Sequence, residues 1–118
     1  MTTTKQREYH KNYLIKYNKI YLKTPISKFS AYKNRAKRKN IEFSLTFEEF
    51  STFWQKSCYY CNNIIETIGI DRIDNNKGYQ LDNIIPCCHT CNSMKSRMNQ
   101  TNFINQCYII GKLKQQFT

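Results

Sequence analysis

Four of the six cysteines form two pairs with the same spacing. Cys58 and Cys61 make one CxxC pair, and Cys88 and Cys91 make the other, with 26 residues between the pairs. Two intervening residues allow both sulfurs of a pair to bind one ion, and two such pairs complete the tetrahedral four-thiolate shell that Zn²⁺ prefers. The spacing therefore predicts a structural zinc site at these four residues. A redox pair or buried free thiols is the alternative interpretation.

The two remaining cysteines are not predicted to bind the metal. Cys87 precedes Cys88, but only Cys88 has the two-residue spacing to Cys91. Cys107 lies in an apolar helical pattern and is expected to be a small core residue. The amino-terminal residues contain no apolar core for a secretory signal, so we expect an intracellular, reducing compartment where metal binding is favoured over disulfides.

The residues between the cysteine pairs change from helical to strand periodicity. Alternation over residues 68–73 predicts a strand, 74–78 has turn composition, and about 83–86 predicts a second strand. A helix is predicted from about Thr90 to Met98. Polar side chains stand on these elements at Asp71, Arg72, Asn83 and Asn92. A strand, a turn, a strand and a helix would thus lie across one zinc ion.

This arrangement resembles the HNH endonucleases, in the four-cysteine zinc branch of the ββα-metal (His-Me finger) nucleases. The resemblance covers about residues 43–98. Its motifs are Cys58-x-x-Cys61, Gly69-Ile70-Asp71-Arg72-Ile73-Asp74, Gly78-Tyr79, and the stretch from Asp82-Asn83 through Cys88, Cys91 and Asn92 to Lys95. The resemblance implies an α+β fold, a small zinc-stapled ββα-metal finger flanked by N-terminal basic helices and a C-terminal helix.

The resemblance also implies an activity, that of a metal-dependent DNA endonuclease (a nickase or a double-strand cutter) that hydrolyses phosphodiester bonds. Such cleavage needs an activated nucleophile and positive charge on the developing phosphorane, which a hard divalent cation with open positions can supply. At the matching positions, Asp71 and Asn92 would hold Mg²⁺ or Mn²⁺. Asn83 would brace the loop and orient the base. The zinc would be structural, since four thiolates leave no open position.

One departure from the family pattern bears on the chemistry. The family usually has Asp-His where this chain has Asp71-Arg72. A guanidinium is a poor general base but can clamp a phosphate bidentately. A restriction-enzyme branch of this superfamily has Arg at this place, with a catalytic Tyr seven residues later, which here is Tyr79. We therefore predict that Arg72 binds the phosphate and Tyr79 acts as nucleophile or base.

Three alternatives to this assignment stay open. Tyr79 can equally be a packing residue. Asp74 can be a metal ligand or activate water, and His89 can replace the missing base. A second function also stays open, that of a non-catalytic, zinc-stapled nucleic-acid-binding module in a nucleoprotein assembly, which Arg72 favours.

The positive charge is concentrated at one end of a chain whose net charge is +11. Residues 1–40 contain 12 of the 19 Lys and Arg residues and a single acidic residue, Glu8, whereas residues 41–118 are balanced. A basic segment indicates a polyanion partner, DNA first and RNA as the alternative. The predicted nucleic-acid-binding residues are Lys33, Arg35, Lys37, Arg38, Lys39, Lys95 and Arg97, with a solvated charged face as the alternative.

The charge division coincides with a predicted boundary between a basic helical arm, 1–40, and the zinc domain, 41–118. The arm is predicted to contain helices over about 6–22 and 27–40, the second capped by Ser27. Thr46 and Glu49 form a capping box that opens a third helix. The last helix, about 102–116, is expected to turn four residues inward: Phe103, Cys107, Ile110 and Leu113. No apolar run is long enough for a membrane span, so no membrane partner is expected. A homodimer and a larger nucleoprotein assembly both stay open as partners.

Overall fold

The computed structural model describes the backbone of residues 3–21 and 23–115, and the side chains of 3–12 and 23–115. Five helices and two short strands occur in this order: α1 (Thr4–Tyr21), α2 (Pro25–Arg38), α3 (Phe47–Ser51), β1 (Ile70–Arg72), β2 (Ile84–Pro86), α4 (His89–Lys95) and α5 (Gln100–Lys114). A 3₁₀ turn at Leu81–Asn83 leads into β2. The predicted α+β class is confirmed. No helix in the described ranges is long and apolar enough to span a membrane.

The two strands form an antiparallel hairpin at the centre of the molecule. Asp71 pairs with Ile85, and Arg72 pairs with Ile84. Just before β1, Gly69 passes so close to the end of β2 that a Cβ atom there would overlap the carbonyl oxygen of Cys87. The backbone of Cys87 donates a hydrogen bond to Gly69 O at 2.9 Å. Glycine is therefore required where the hairpin meets the second cysteine pair.

The main core lies between the hairpin and the helices that precede it. Its buried members are Leu45, Phe50, Ile68, Ile70 and Ile84. Phe29 and Tyr32 of α2 pack against this core, with the ring centroids of Phe29 and Phe50 5.3 Å apart. The Tyr32 hydroxyl accepts a hydrogen bond from Ile70 N at 3.2 Å. The apolar face of α2 therefore belongs to the packing of the zinc domain, and the boundary at residue 40 stays a prediction.

The helix starts follow the sequence signals, with one correction. The capping box of Thr46 and Glu49 is present in both directions, at 3.1 and 2.9 Å. The cap of α2, however, is Thr24 and not Ser27, because Ser27 N donates to the Thr24 hydroxyl at 3.3 Å. Pro25 then occupies the first helical position, where its missing N–H costs no hydrogen bond.

The prediction that four residues of the last helix face inward is wrong for three of them. Phe103 is buried and packs on the Tyr60 ring, with centroids 5.0 Å apart. Cys107 is exposed, and Ile110 and Leu113 are 51% and 61% exposed. Among the described side chains of α5, Phe103 in the first turn is the buried one, and the later turns are exposed.

The first helix begins at Thr4, two residues before the start that the sequence predicts. Tyr9 is 76% exposed. Tyr13, Tyr17 and Ile20 recur at helical spacing with Tyr9 in the sequence, and their side chains lie outside the described residues.

Candidate zinc centre and active-site cleft

The four paired cysteines converge on one point. Their sulfur atoms all lie within 4.8 Å of one another, and Cys61 Sγ is 3.7 Å from Cys88 Sγ. A tetrahedral shell with Zn–S bonds of about 2.3 Å places sulfurs roughly 3.8 Å apart. The residues present therefore fit a structural zinc ion, as predicted. Cys87 is not part of the cluster, and its thiol contacts the carbonyl oxygen of Cys88 at 3.5 Å.

Backbone N–H groups support the thiolate form of this cluster. Cys88 N donates to Cys58 Sγ at 3.3 Å, and Cys91 N donates to Cys88 Sγ at 3.4 Å. Burial opposes ionisation of Cys58, but backbone N–H groups, first that of Cys61, lower its pKa to about 6. Burial raises the pKa of Cys87 to about 12, so that residue stays a neutral thiol. Burial and the neighbouring sulfurs raise the pKa of Cys91, a cost that a cation between the sulfurs would remove.

The proposed catalytic residues line one cleft beside the hairpin. The cleft has a volume of about 640 Å³, and its walls include Asp71, Arg72, Tyr79 and Asn92. They come from β1, the loop after the turn, and α4. Its rim carries further cations at Arg35, Lys39 and Arg97. The cleft thus combines one carboxylate, one amide, one phenol and several positive charges.

Lys95 corrects one sequence prediction. Lys95 was expected to contact phosphates from the surface of the helix, but it is completely buried, with 0% exposure. Its ammonium lies 2.7 Å from Asp71 Oδ2 and donates to the carbonyl oxygen of Arg72 at 3.3 Å. Lys95 stands three positions after Asn92 on α4, so both residues share a face. The three-residue spacing from Asn92 could therefore have predicted that Lys95 faces the hairpin.

Asp71 and Asn92 place a carboxylate and an amide on the walls of the same cleft. Asp71 Oδ2 is buried, and the Lys95 ammonium lies 2.7 Å from it. A contact of this length between a buried ammonium and a carboxylate is a strong ion pair, so a cation at this oxygen would compete with the ammonium. Asn92 is exposed on the same cleft. Carboxylate and amide oxygens are ligands that Mg²⁺ accepts, usually together with waters and substrate phosphates.

Arg72 is held by the turn that follows it. Its Nη1 donates to the carbonyl oxygens of Asn75 at 2.9 Å and Lys77 at 3.0 Å. Its Cζ lies 5.4 Å from the centroid of the Tyr79 ring. Tyr79 also packs on Phe43 with ring centroids 5.6 Å apart, so it is both a cleft residue and a neighbour of the core.

Asp74 lies in the turn after β1 and Asn83 at the end of the 3₁₀ turn before β2, and neither lines the cleft. The amide of Asn83 accepts from Asp74 N at 2.9 Å, and it donates to Asp74 O at 3.0 Å and to Gly78 O at 2.9 Å. Asp74 Oδ1 accepts from Asn76 N at 2.9 Å. These hydrogen bonds of Asn83 hold the loop between Arg72 and Tyr79.

The predicted basic cluster of α2 divides between two surfaces. Arg35 and Lys39 line the cleft, whereas Lys33 and Lys37 line a separate concavity with Phe43. Arg38 is exposed and lines neither of these two surfaces. Residues that sequence reasoning missed are Tyr32 and Asn75 on the cleft and Lys28 beside His89 in a small adjoining cleft. Helical spacing of Lys28, Tyr32, Arg35 and Lys39 was the available signal.

Comparisons with known proteins agree with this architecture. No protein-family model matches the chain. An uncharacterized protein of Acanthamoeba polyphaga mimivirus is 43% identical over 101 residues, which cover 82% of this chain and 18% of that protein. The chain therefore spans less than a fifth of the length of this relative.

The structural comparison concerns the fold. The rare-cutting HNH restriction endonuclease PacI, solved in a study of DNA perturbation, superposes with a TM-score of 0.62 at 19% sequence identity. The match covers 79% of this chain and 80% of that chain. The chain thus has an HNH-like fold with four cysteines arranged to bind a metal ion, and the fold expected from the resemblance is confirmed.

Proposed function

We propose that this chain is a metal-dependent endonuclease domain that hydrolyses phosphodiester bonds in DNA. One observation carries the proposal: Asp71 and Arg72 of β1, Tyr79 after the turn and Asn92 of α4 line one cleft together with arginine and lysine. The HNH-like fold and the DNA named for PacI support the choice of DNA. The mimivirus relative is several times longer than this chain, so a domain of this kind can also occur as part of a larger protein.

The residues would divide the chemistry as follows. Asp71 and Asn92 would hold Mg²⁺ or Mn²⁺, which when bound supplies positive charge at the phosphate and the leaving 3′ oxygen. Arg72 would bind a non-bridging phosphate oxygen through the guanidinium nitrogens that the turn does not use. Tyr79, under the Arg72 guanidinium, would accept a proton from the water that attacks the phosphorus while the P–O3′ bond breaks. Alternatively, it would lose its own proton and attack the phosphorus, displacing the 3′ oxygen, and water would then cleave the phosphotyrosine. Asn83 would hold the turn that sets the Arg72–Tyr79 distance.

The zinc ion would hold the cleft together without taking part in the reaction. Its four sulfurs leave no open coordination position. The second cysteine pair immediately precedes Asn92, so the metal would fix the start of α4 relative to the hairpin. Zinc binding of this kind contributes on the order of 10 kcal/mol to folding, which suits a core this small.

The test is supercoiled plasmid with Mg²⁺ or Mn²⁺, with and without a chelator that leaves zinc bound. The wild-type chain should nick the plasmid, and Asp71→Asn and Asn92→Ala should each reduce nicking by at least about 100-fold. Asp82→Asn is the matched control, because Asp82 is exposed on the 3₁₀ turn outside the cleft. Zinc content of each variant reports that it is folded. Clean, zinc-loaded protein that shifts the plasmid without nicking it would refute the enzyme.

A second function, a non-catalytic nucleic-acid-binding module, is favoured by two specific contacts. Asp71 already has a cationic partner in Lys95, and Nη1 of Arg72 is bound to turn carbonyls. Both contacts would also be expected of residues that only stabilise the hairpin. Under this alternative, Asp71→Asn would lower stability and leave plasmid binding unchanged.

A further inference from the structure

We propose that Lys95 is a built-in counter-ion of Asp71 that makes divalent-metal binding in the cleft conditional on a nucleic-acid phosphate. This inference rests on the proposed function, because it concerns the same metal ligands. It assigns a role to a buried charged residue that the proposed reaction does not use.

The position of Lys95 is fixed and fully enclosed. A lysine with 0% exposure is rare, and its charge requires compensation inside the protein. Two groups of β1 compensate the charge of the Lys95 ammonium. Asp71 Oδ2 lies 2.7 Å from it, and the Arg72 carbonyl oxygen accepts its hydrogen bond. The ammonium therefore balances the carboxylate that would bind a metal ion.

The rest of the cleft is positively charged. Arg35, Lys39, Arg72 and Arg97 line it, and Asp71 is the single acidic residue among its described walls. Since Lys95 neutralises Asp71, a divalent cation that entered alone would meet uncompensated positive charge at short range. A phosphodiester would instead be attracted by the same residues.

Metal and phosphate should therefore raise each other's affinity. A bound phosphate adds negative charge and oxygen ligands, which Mg²⁺ commonly takes from its substrate. An ion at Asp71 Oδ2 would compete with the Lys95 ammonium 2.7 Å away, and a bound phosphate would offset the added positive charge. By thermodynamic linkage, the factor by which DNA tightens metal binding equals the factor by which metal tightens DNA binding.

The experiment measures Mn²⁺ binding to the zinc-loaded chain by electron paramagnetic resonance, alone and with a short DNA duplex, after subtraction of binding to the duplex. Duplex affinity with and without Mn²⁺, from fluorescence anisotropy, gives the reciprocal measurement. The variants are Lys95→Met, the charge-free pair Asp71→Asn with Lys95→Met, and Lys112→Met as a control on the exposed part of α5.

We expect wild type and Lys112→Met to bind Mn²⁺ weakly alone and on the order of tenfold more tightly with the duplex. Lys95→Met should bind Mn²⁺ on the order of tenfold more tightly than wild type without DNA, and the duplex should add less. The double variant should lose the site. Equal Mn²⁺ affinity of Lys95→Met and wild type, or wild-type binding that ignores the duplex, would overturn the proposal.

Two features keep this test decisive. If Lys95→Met loses zinc and does not fold, the comparison of wild type with and without duplex still decides, because coupling must be present there. The readout is binding and not cleavage. A chain that couples metal to DNA without nicking plasmid refutes the nuclease and keeps this inference, and a nicking chain without coupling does the reverse.

Discussion

The guanidinium of Arg72 lies over the ring of Tyr79, with its Cζ atom 5.4 Å from the ring centroid. The two residues are seven positions apart, and the turn between them brings them together. Arg72 Nη1 donates to the carbonyls of Asn75 and Lys77. The Asn83 side chain donates to the carbonyl of Gly78 at the end of the same turn. Arg72 and Tyr79 are therefore in contact within the cleft that Asp71 also lines.

Tyr79→Phe tests whether the phenol takes part in the reaction. The ring and its packing on Phe43 are kept, so we expect stability to change by less than about 1 kcal/mol. Plasmid nicking with Mg²⁺ should fall by about 100-fold or more, because a nucleophile or base is removed. Tyr59→Phe is the control, since Tyr59 is 55% exposed and does not line the cleft. Full nicking by Tyr79→Phe alongside an inactive Asp71→Asn would leave Tyr79 as a packing residue.

The two surfaces of α2 should differ in their contribution to DNA binding. Replacing Arg35 and Lys39 by Gln removes charge from the cleft and should reduce the slope of log affinity against log salt by about 1 for each lost phosphate contact. Replacing Lys33 and Lys37 by Gln removes the same charge from the neighbouring concavity and should change the slope less. Anisotropy with a labelled duplex over a salt series measures both. Equal slopes for the two double variants would show that DNA binding depends on the total charge of α2 and not on which surface carries it.

Zinc removal should unfold the domain. Cys58→Ser removes one ligand and should abolish stoichiometric zinc and the cooperative melting transition, since metal binding of this type supplies on the order of 10 kcal/mol. Cys107→Ser is the matched control, because that thiol is exposed and outside the cluster. Elemental analysis and circular dichroism report the two quantities. Retention of one zinc per chain in Cys58→Ser would contradict the four-sulfur site.

Two deletions separate the basic segment from the domain that it packs on. Removal of residues 1–23 keeps α2, so zinc content should be unchanged and the melting temperature nearly so. Removal of residues 1–40 also removes Phe29 and Tyr32, which are partly buried against the core, and each should cost up to the roughly 3–5 kcal/mol of a fully buried aromatic side chain. We expect this shorter chain to melt early and to lose zinc readily. Equal stability of the two chains would support the sequence-predicted boundary at residue 40.

Local patterns in the sequence predicted the elements that depend on neighbouring residues. The capping box at Thr46, the antiparallel strands around Asp71 and the choice of Cys88 over Cys87 each follow from spacing within a few positions, and the structure contains all three. The last helix was predicted at about the right place but with three residues wrongly turned inward. Helical periodicity identifies an apolar face, but it does not show whether anything covers that face.

The sequence by itself determined the cysteine pairs, the position of the hairpin and the residue types available for chemistry, because these depend on short-range spacing and on composition. The tertiary structure alone decided which charges meet. It buried Lys95 against Asp71, although the sequence suggested an exposed lysine beside a free metal ligand. It also sent Arg35 and Lys39 to the cleft and Lys33 and Lys37 away from it. Such pairings join residues distant along the chain, and their energies depend on burial and separation, which are properties of the packed molecule.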